Sequence, residues 1–343
     1  MKPFNFNEDV VSTNVVVTDG FFDGGAGIKA GSNYTTSSLS SAQKNYYYNI
    51  QYNSKDHLSC TYGHIAGSGS SEQSSTIEGT TQAIYKQFYN FTENDRTQLR
   101  DQAGWIINSA TQSDAYIISA ERLQMKDRLN PGTWTITLSG SSTMASASSL
   151  ILTDNSKTTD PSAAPFGERY DIYSGSAGTT VGSTKYGFFY PDAGLWVLSA
   201  NELSSSLPGS GSTTHSQMAG GSRILGNGLT PDSRVNSDAD NAWKLTRALQ
   251  LGTVTLRSEE NQYIYDYFCR AKANEFNYSE NYTFWSGSNF EIRHSDMQNN
   301  PQTYISEVGL YDAGGDLMAV GKLSAPLEKN FSSEAIIKVR LTY

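Results

Sequence analysis

The stretch Thr303–Leu327, TYISEVGLYDAGGDLMAVGKLSAPL, carries the plainest local instructions in the chain. Tyr304, Ile305, Val308, Leu310 and Tyr311 supply the β-branched and aromatic side chains that suit a pleated, half-buried surface, so residues 303–311 read as a strand. Asp312-Ala313-Gly314-Gly315-Asp316 follows, with two glycines able to take positive φ at no steric cost. Leu317, Met318, Ala319, Val320 and Leu323 then resume the apolar run, which makes a hairpin. Pro326 has no N–H to give a ladder and is expected to end the second strand. Ala335–Leu341 alternates Ile337, Val339 and Leu341 against Lys338 and Arg340, the period of a third strand closing a sheet with the hairpin.

Composition extends this reading to the whole chain. Of 343 residues, 37% are hydrophobic and only 17% charged, and Gly, Ser, Thr and Asn are abundant, which favours short strands and turn-rich loops over long helices. The expected fold is mainly β, with antiparallel sheets in a sandwich or meander, long Gly/Ser-rich loops and one or two short helices. Composition shifts divide the chain into a loop-rich arm (1–45), a β-rich central domain (46–203), an exposed insertion or linker (204–240) and a carboxyl-terminal β domain (241–343) holding the hairpin.

Within the central domain, residues 80–99 place Ile84, Phe88 and Phe91 at three- and four-residue spacing, the best helix candidate. Ala115–Ala120 and Trp134–Leu138 are expected to pair as a hairpin around Pro131-Gly132. Arg169–Tyr173, Phe188–Tyr190 and Leu195–Leu198 continue a meander, the last two joined by a Pro-Asp-Ala-Gly turn. NAWKLTRALQLGTVTL (241–256) suggests a short helix with Trp243, Leu245, Ala248 and Leu249 on one side, leading into a strand near Thr253–Leu256.

Several classes of function lose support here. A net charge of −9 gives the wrong field for a phosphate-backbone binder, so nucleic acid is not an expected partner. Cys60 and Cys269 lie far apart with no CxxC or Cys/His spacing, so they read as reduced thiols without a disulfide framework or zinc site. No segment has the length and apolarity of a membrane span, and the amino terminus lacks a signal-peptide pattern; synthesis in a cytosol, with release by lysis, is expected.

Catalytic motifs are missing as well. His57, His64, His215 and His294 stand in unlike contexts, without HExxH or HxH, and read as surface or hydrogen-bonded loop residues. Asp238 and Asp240 sit in an oxygen-rich NSDADN loop that lacks the Gly and terminal Glu of an EF-hand. There is no GxSxG elbow, phosphate loop or dinucleotide fingerprint. No carboxylate pair, Asp192 with Glu202 included, stands out as a glycosidase dyad. No enzyme activity, cofactor or metal is expected.

Residues 265–343 resemble a family of virion structural proteins from contractile-tailed, cyanophage-type bacteriophages. The likeness rests on EFNYS (275–279), on NPQTYISEVGLYDAGGDLMAVGKLSAPLEKNF (300–331) and on the terminal IKVRLTY (337–343). It extends upstream through TYGH (61–64), ERLQMKDRLNPGTWTITLSGSS (121–142), YDIYSGS (170–176) and YGFFYPDAGLWVLS (186–199). The resemblance implies a non-enzymatic component of a tail machine, at the baseplate, docking other tail or fibre proteins and further copies of itself within the virion. Alternatives are a host-attachment or carbohydrate-binding tail protein, in which Trp285 or Tyr282 stacks on sugar rings, a neck- or capsid-associated virion protein, and a glycan-degrading tail enzyme that would need convergent carboxylates.

An assembly protein needs surfaces, and tyrosine, with 21 residues, buries much area at low side-chain entropy cost. Tyr46, Tyr47 and Tyr48 are interface candidates, because successive strand positions point to opposite faces and all three cannot enter one core. Trp285, Tyr304 and Tyr311 complete the candidate interface.

Overall fold

The fold is that of a computed structural model, which describes residues 4–22, 27–28, 35–36, 47–65, 80–93, 104–140, 148–203 and 241–343. The insertion at 204–240, with His215, Asp238 and Asp240, and most of the amino-terminal Gly/Ser-rich segment lie outside the described residues. The protein is mainly β, with antiparallel sheets and short helices. It divides into two compact units, one of Val17–Glu260 and one of Met1–Val16 with Asn261–Tyr343. This division differs from the boundaries drawn on composition, since residues 241–260 fold with the central strands. The chain opens with a helical turn, α1 (Phe6–Asp9), and a strand, β1 (Val10–Gly20), inside the segment expected to be loop.

The larger unit contains β2 (Tyr48–Tyr52), β3 (Lys55–His64), α2 (Thr80–Thr92), β4 (Asp114–Ala120), β5 (Thr135–Gly140), β6 (Ser148–Asp154), β7 (Gly167–Ser176), β8 (Thr179–Tyr190), β9 (Leu195–Ser199), α3 (Asn241–Leu251) and β10 (Thr253–Thr255). These strands form one sheet in the order β10-β5-β6-β7-β8-β9-β4-β3-β2. Consecutive neighbours from β5 to β9 make the expected meander. Its tight turns follow from backbone chemistry: Asn53-Ser54 joins β2 to β3 and Ala177-Gly178 joins β7 to β8, all four with positive φ. Two residues of that conformation match the right-handed twist of the strands they connect.

The expected hairpin of 115–120 with 134–138 does not form. Ile117 stands between Thr61 and Val197, whereas Ile136 pairs with Leu152 and Val254. Asp114–Ile118 is buried at every position, so β4 needs cover on both faces and a strand on each side, which an adjacent two-stranded hairpin cannot supply.

One face of the sheet carries Leu58, Cys60, Tyr116, Ile118, Trp196, Phe189, Ile172, Leu152 and Ile136, gathered with Leu245, Ala248 and Leu249 of α3 into one core. Helix α3 touches β5 and β10 near one end of the strand order and β3 and β2 at the other. The sheet therefore curls around the helix. The opposite face carries Ala115, Ile117, Val197, Phe188 and Tyr190, covered by α2 and by Trp105 and Ile107.

On α2 the buried side is Thr81, Ile84, Tyr85, Tyr89 and Thr92; Phe88 is only half-buried and Phe91 is exposed, stacked on Phe166. The helix thus sits rotated from the Ile84/Phe88/Phe91 face expected from spacing. Gly63 is the reason: a Cβ there would lie 2.8 Å from the Tyr85 Cα, so its absence lets the Tyr85 side of the helix onto the sheet. The Tyr85 hydroxyl then donates to the Gln112 carbonyl at 2.5 Å, and the Trp105 indole N–H donates to Thr92 Oγ1 at 2.9 Å.

The smaller unit is built on β11 (Arg257–Ala271) from Asn261 onward, β12 (Thr303–Tyr311), β13 (Leu317–Lys329) and β14 (Ala335–Thr342). The hairpin β12–β13 forms as expected, but β14 pairs with β11, from Ile264↔Thr342 to Ala271↔Ala335, and not with the hairpin. Charge selects this partner. Asp266 accepts two bonds from Arg340, at 2.8 and 3.0 Å, and lies 2.7 Å from Lys338 Nζ. Hydrogen bonds from Arg340 and then Lys338 hold the Asp266 carboxyl far below the usual carboxylate range.

Pro326 does not end β13 either. Between the pairs Ile305↔Leu327 and Glu307↔Lys322, Ser306 alone faces Leu323–Pro326. Pro326 is thus absorbed in a bulge, where no ladder N–H is needed, and pairing resumes to Lys329. The turn at 312–316 closes through Asp312: its carboxylate accepts the Asp316 N–H at 2.8 Å and Gly315 takes φ 93°.

Candidate docking surface

In β12 and β13 the alternation places Val308, Leu310, Ala319 and Gly321 on one side and Gly309, Tyr311, Leu317 and Val320 on the other. The first side is covered. Leu310 is buried, and a Cβ on Gly321 would meet Val339 of β14 at 3.7 Å. The second side is open, with Leu317 and Val320 each about half exposed and neighbouring Met318 70% exposed. Gly309 shapes it, since a Cβ there would lie 2.9 Å from the Tyr311 ring and 3.1 Å from Leu317 Cδ1. The missing side chain lets Tyr311 and Leu317 fold down into a continuous apolar shelf.

The hairpin's two outer edges differ. On β13, Lys322, the four-residue bulge and Pro326 interrupt any further pairing, which is how natural sheets protect an edge. Strand β12 carries neither a proline nor a lysine, and no backbone partner beyond β13 is seen for it among the described residues. An open edge beside an apolar shelf can add a partner's strand and bury its side chains.

The whole smaller unit shares this character. Both large apolar cores belong to the other unit, whereas Tyr263, Phe276, Tyr282, Phe290, Tyr304 and Phe331 of this one are exposed. Between β11 and β12 runs an excursion, 272–302, held by local bonds and by Lys329. The Lys329 side chain is fully buried, and its Nζ donates to Asn277 Oδ1, Asn330 O and Ala273 O at 2.8, 2.8 and 3.1 Å. Within the excursion Trp285 touches both Tyr282 and Phe290, with ring centroids 5.1 and 4.7 Å apart.

The residues singled out by sequence divide. Tyr304 and Tyr311 are exposed on β12, and Trp285 is half-buried with an exposed neighbour on each side. Tyr46 lies outside the described residues and Tyr47 is half-buried. Tyr48 is a correction: it is 2% exposed, opposite Cys60 in the core of the larger unit, because β2 turns Tyr48 and Ile50 inward together.

Titratable groups are accounted for by packing. His57 is buried among Phe21, Phe22 and Tyr52, with Nδ1 2.9 Å from the Lys55 carbonyl. His64 stands opposite Asp114 across β3 and β4, and burial lowers its pKa. His57 and His64 were expected at the surface or in loops, but β3 is a strand of the sheet's interior. Asp114 accepts a hydrogen bond from the Tyr62 hydroxyl at 2.8 Å, and burial raises its carboxyl to about 6. Burial likewise pushes the Cys60 thiol up to about 12, and both cysteines are free.

Around Arg128 three carboxylates converge: Glu259, in a short contact with Nε, Glu168 at 2.7 Å and Asp192 at 3.8 Å. Asn130 and Tyr170 donate to Glu259 and Glu168 respectively. This cluster had no signal in spacing, since its members are brought from four separate segments. Each carboxylate faces the one guanidinium, an arrangement that joins strands. Among the described residues no group of His, Cys, Asp and Glu is placed to hold a metal ion, and no helix is long and apolar enough to cross a membrane.

Compared with protein-family models, curated proteins and solved structures, the chain matches none.

Proposed function

We propose that this chain is a non-enzymatic structural subunit of a bacteriophage contractile tail, placed at the baseplate, where the unit of residues 261–343 docks neighbouring tail or fibre proteins and further copies of the chain. The observation that carries this reading is the open face of the hairpin. Tyr311, Leu317, Met318 and Val320 lie exposed beside the unprotected edge of β12, in a unit that holds neither large apolar core. Contiguous exposed apolar surface of this kind belongs to proteins whose folding is completed by partners. The motif resemblance of the same residues to virion proteins supports a phage particle as that assembly. The larger unit closes on its own apolar cores, one on each face of its sheet.

The test is mass spectrometry of purified particles, followed by amine cross-linking of intact ones through Lys322 and Lys338, whose side chains are exposed. Cross-links from these lysines to baseplate or tube proteins are expected. Absence of the chain from purified particles would remove the structural role altogether, and links to neck or capsid proteins would replace its position.

A further inference from the structure

Residues 272–302 form a long excursion that adds no strand to either pair of the smaller unit: β11 and β14 pair directly, as do β12 and β13. Long ordered loops on a compact body usually carry function. This one ends in a two-rung ladder, Trp285↔Ile292 and Ser286↔Glu291, turned by Gly287 at φ 69°. Its tip holds Trp285 between Tyr282, 75% exposed, and Phe290, 60% exposed.

Two features separate this cluster from a small apolar core. Phe290 has φ 56°, the left-handed region that a bulky side chain enters at a cost, and such strain concentrates where a side chain must be presented. The Phe290 ring lies against Trp285 and stays 60% exposed. The Trp285 indole N–H is already engaged, donating to the Glu280 carbonyl at 3.3 Å. The indole therefore offers a ligand its face and not its polar edge. Tyr282 and Phe290 meet it at 46° and 51°, so the three rings form a ridged surface and not a slot between parallel faces.

Exposed short polar residues flank the ring positions in sequence: Asn281, Ser288 and Asn289. The charged residues of the same stretch of sequence are mostly acidic: Glu280, Glu291 and Asp296 against Arg293. A ligand that fits has apolar C–H faces for the rings and hydroxyl edges for amides and carboxylates, and it lacks negative charge. We propose that Tyr282, Trp285 and Phe290 form a binding site for a neutral pyranose-containing saccharide. This goes beyond the structural role above and uses different residues from the hairpin shelf.

The probe is a microarray of neutral and acidic bacterial polysaccharides applied to the full chain, followed by titration of the neutral polysaccharide that binds best. Trp285→Ala and Tyr282→Ala are each expected to weaken binding at least tenfold. Phe91→Ala, which removes half of an exposed ring stack in the larger unit, is expected to leave it unchanged. Tyr282→Ala keeps the test open if loss of the indole unsettles the excursion, because the Tyr282 ring is mostly in solvent. Failure to bind any neutral polysaccharide, binding confined to acidic ones, or equal binding by both ring variants and the unsubstituted chain would each overturn the proposal. Incorporation of the Tyr282→Ala chain into particles is scored separately, so loss of saccharide binding is not confused with loss of assembly.

Discussion

The Lys329 ammonium lies 2.8 Å from the side-chain oxygen of Asn277, a residue 52 positions earlier in the chain, and both side chains are buried. The last residue of β13 is thereby tied to the start of the 272–302 excursion. A lysine with no exposure is rare unless its three N–H groups are satisfied, and here the backbone oxygens of Ala273 and Asn330 take the other two. Lys329→Met keeps the stem but takes the ammonium from Asn277 Oδ1, whereas Ala273 O keeps the Asn277 amide and Asn330 O keeps the Ser333 N–H. The expected cost is about 1–3 kcal/mol, read as a lower melting temperature. Limited proteolysis should also show faster cleavage near Glu275. A variant that melts with the parent chain would show that water replaces the ammonium at no cost.

Gly63→Ala tests the seating of α2. The added methyl would stand 2.8 Å from the Tyr85 Cα and backbone nitrogen, atoms that cannot rotate away as a side chain would. The helix must lift, stretching the Tyr85 bond to the Gln112 carbonyl and opening the contact between Tyr85 and Trp105. Overpacking of this kind costs about 1–3 kcal/mol, and near-ultraviolet dichroism from Trp105 should weaken along with stability. An unchanged tryptophan signal would mean that the helix is not pressed onto β3 as described.

How far the sequence carried the fold depended on distance along the chain. The 303–327 hairpin, the 188–198 hairpin and both longer helices were legible because period, turn residues and apolar spacing act within a few positions of one another. Which strands become neighbours was not, because β4 and β14 chose partners by burial on both faces and by the Asp266–Arg340 pair, terms that exist only once distant segments meet. The same limit explains the site residues. Tyr304 and Tyr311 are exposed on β12, as an interface role would require, whereas Tyr48 lies in the core, because three adjacent tyrosines say that one must face away but not which. Lys329, Asp114 and the carboxylates around Arg128 gave no signal at all.

The apolar shelf predicts a separation of stability from assembly. Leu317→Ser and Met318→Ser remove exposed side chains, so each should change stability by no more than about 0.5 kcal/mol. If the shelf docks a partner, the double variant should nevertheless drop out of purified particles while the free protein stays folded. Retention of the double variant at parental copy number would move the docking surface elsewhere.

Asp114 predicts how stability depends on pH. Its carboxyl titrates near 6 in the folded chain because burial disfavours the charged form, although the hydrogen bond from Tyr62 opposes the shift. In the unfolded chain it titrates near 4. The folded state therefore holds the proton more tightly: this group's contribution is fully present below the unfolded value and is lost as pH rises through about 6. Two pK units correspond to about 3 kcal/mol. His64 acts with the opposite sign, since its lowered pKa removes stability as pH falls below its ordinary value, so the unsubstituted chain alone would mix the two. Asp114→Asn isolates the carboxyl, because an amide oxygen can still accept from Tyr62 and carries no charge at any pH. Denaturant melts of both chains at pH 4, 6 and 8 should show the variant gaining on the parent by about 2–3 kcal/mol between the first and the last. Parallel stability curves across that range would show that Asp114 stays ionised in the core, with its charge met by groups other than Tyr62.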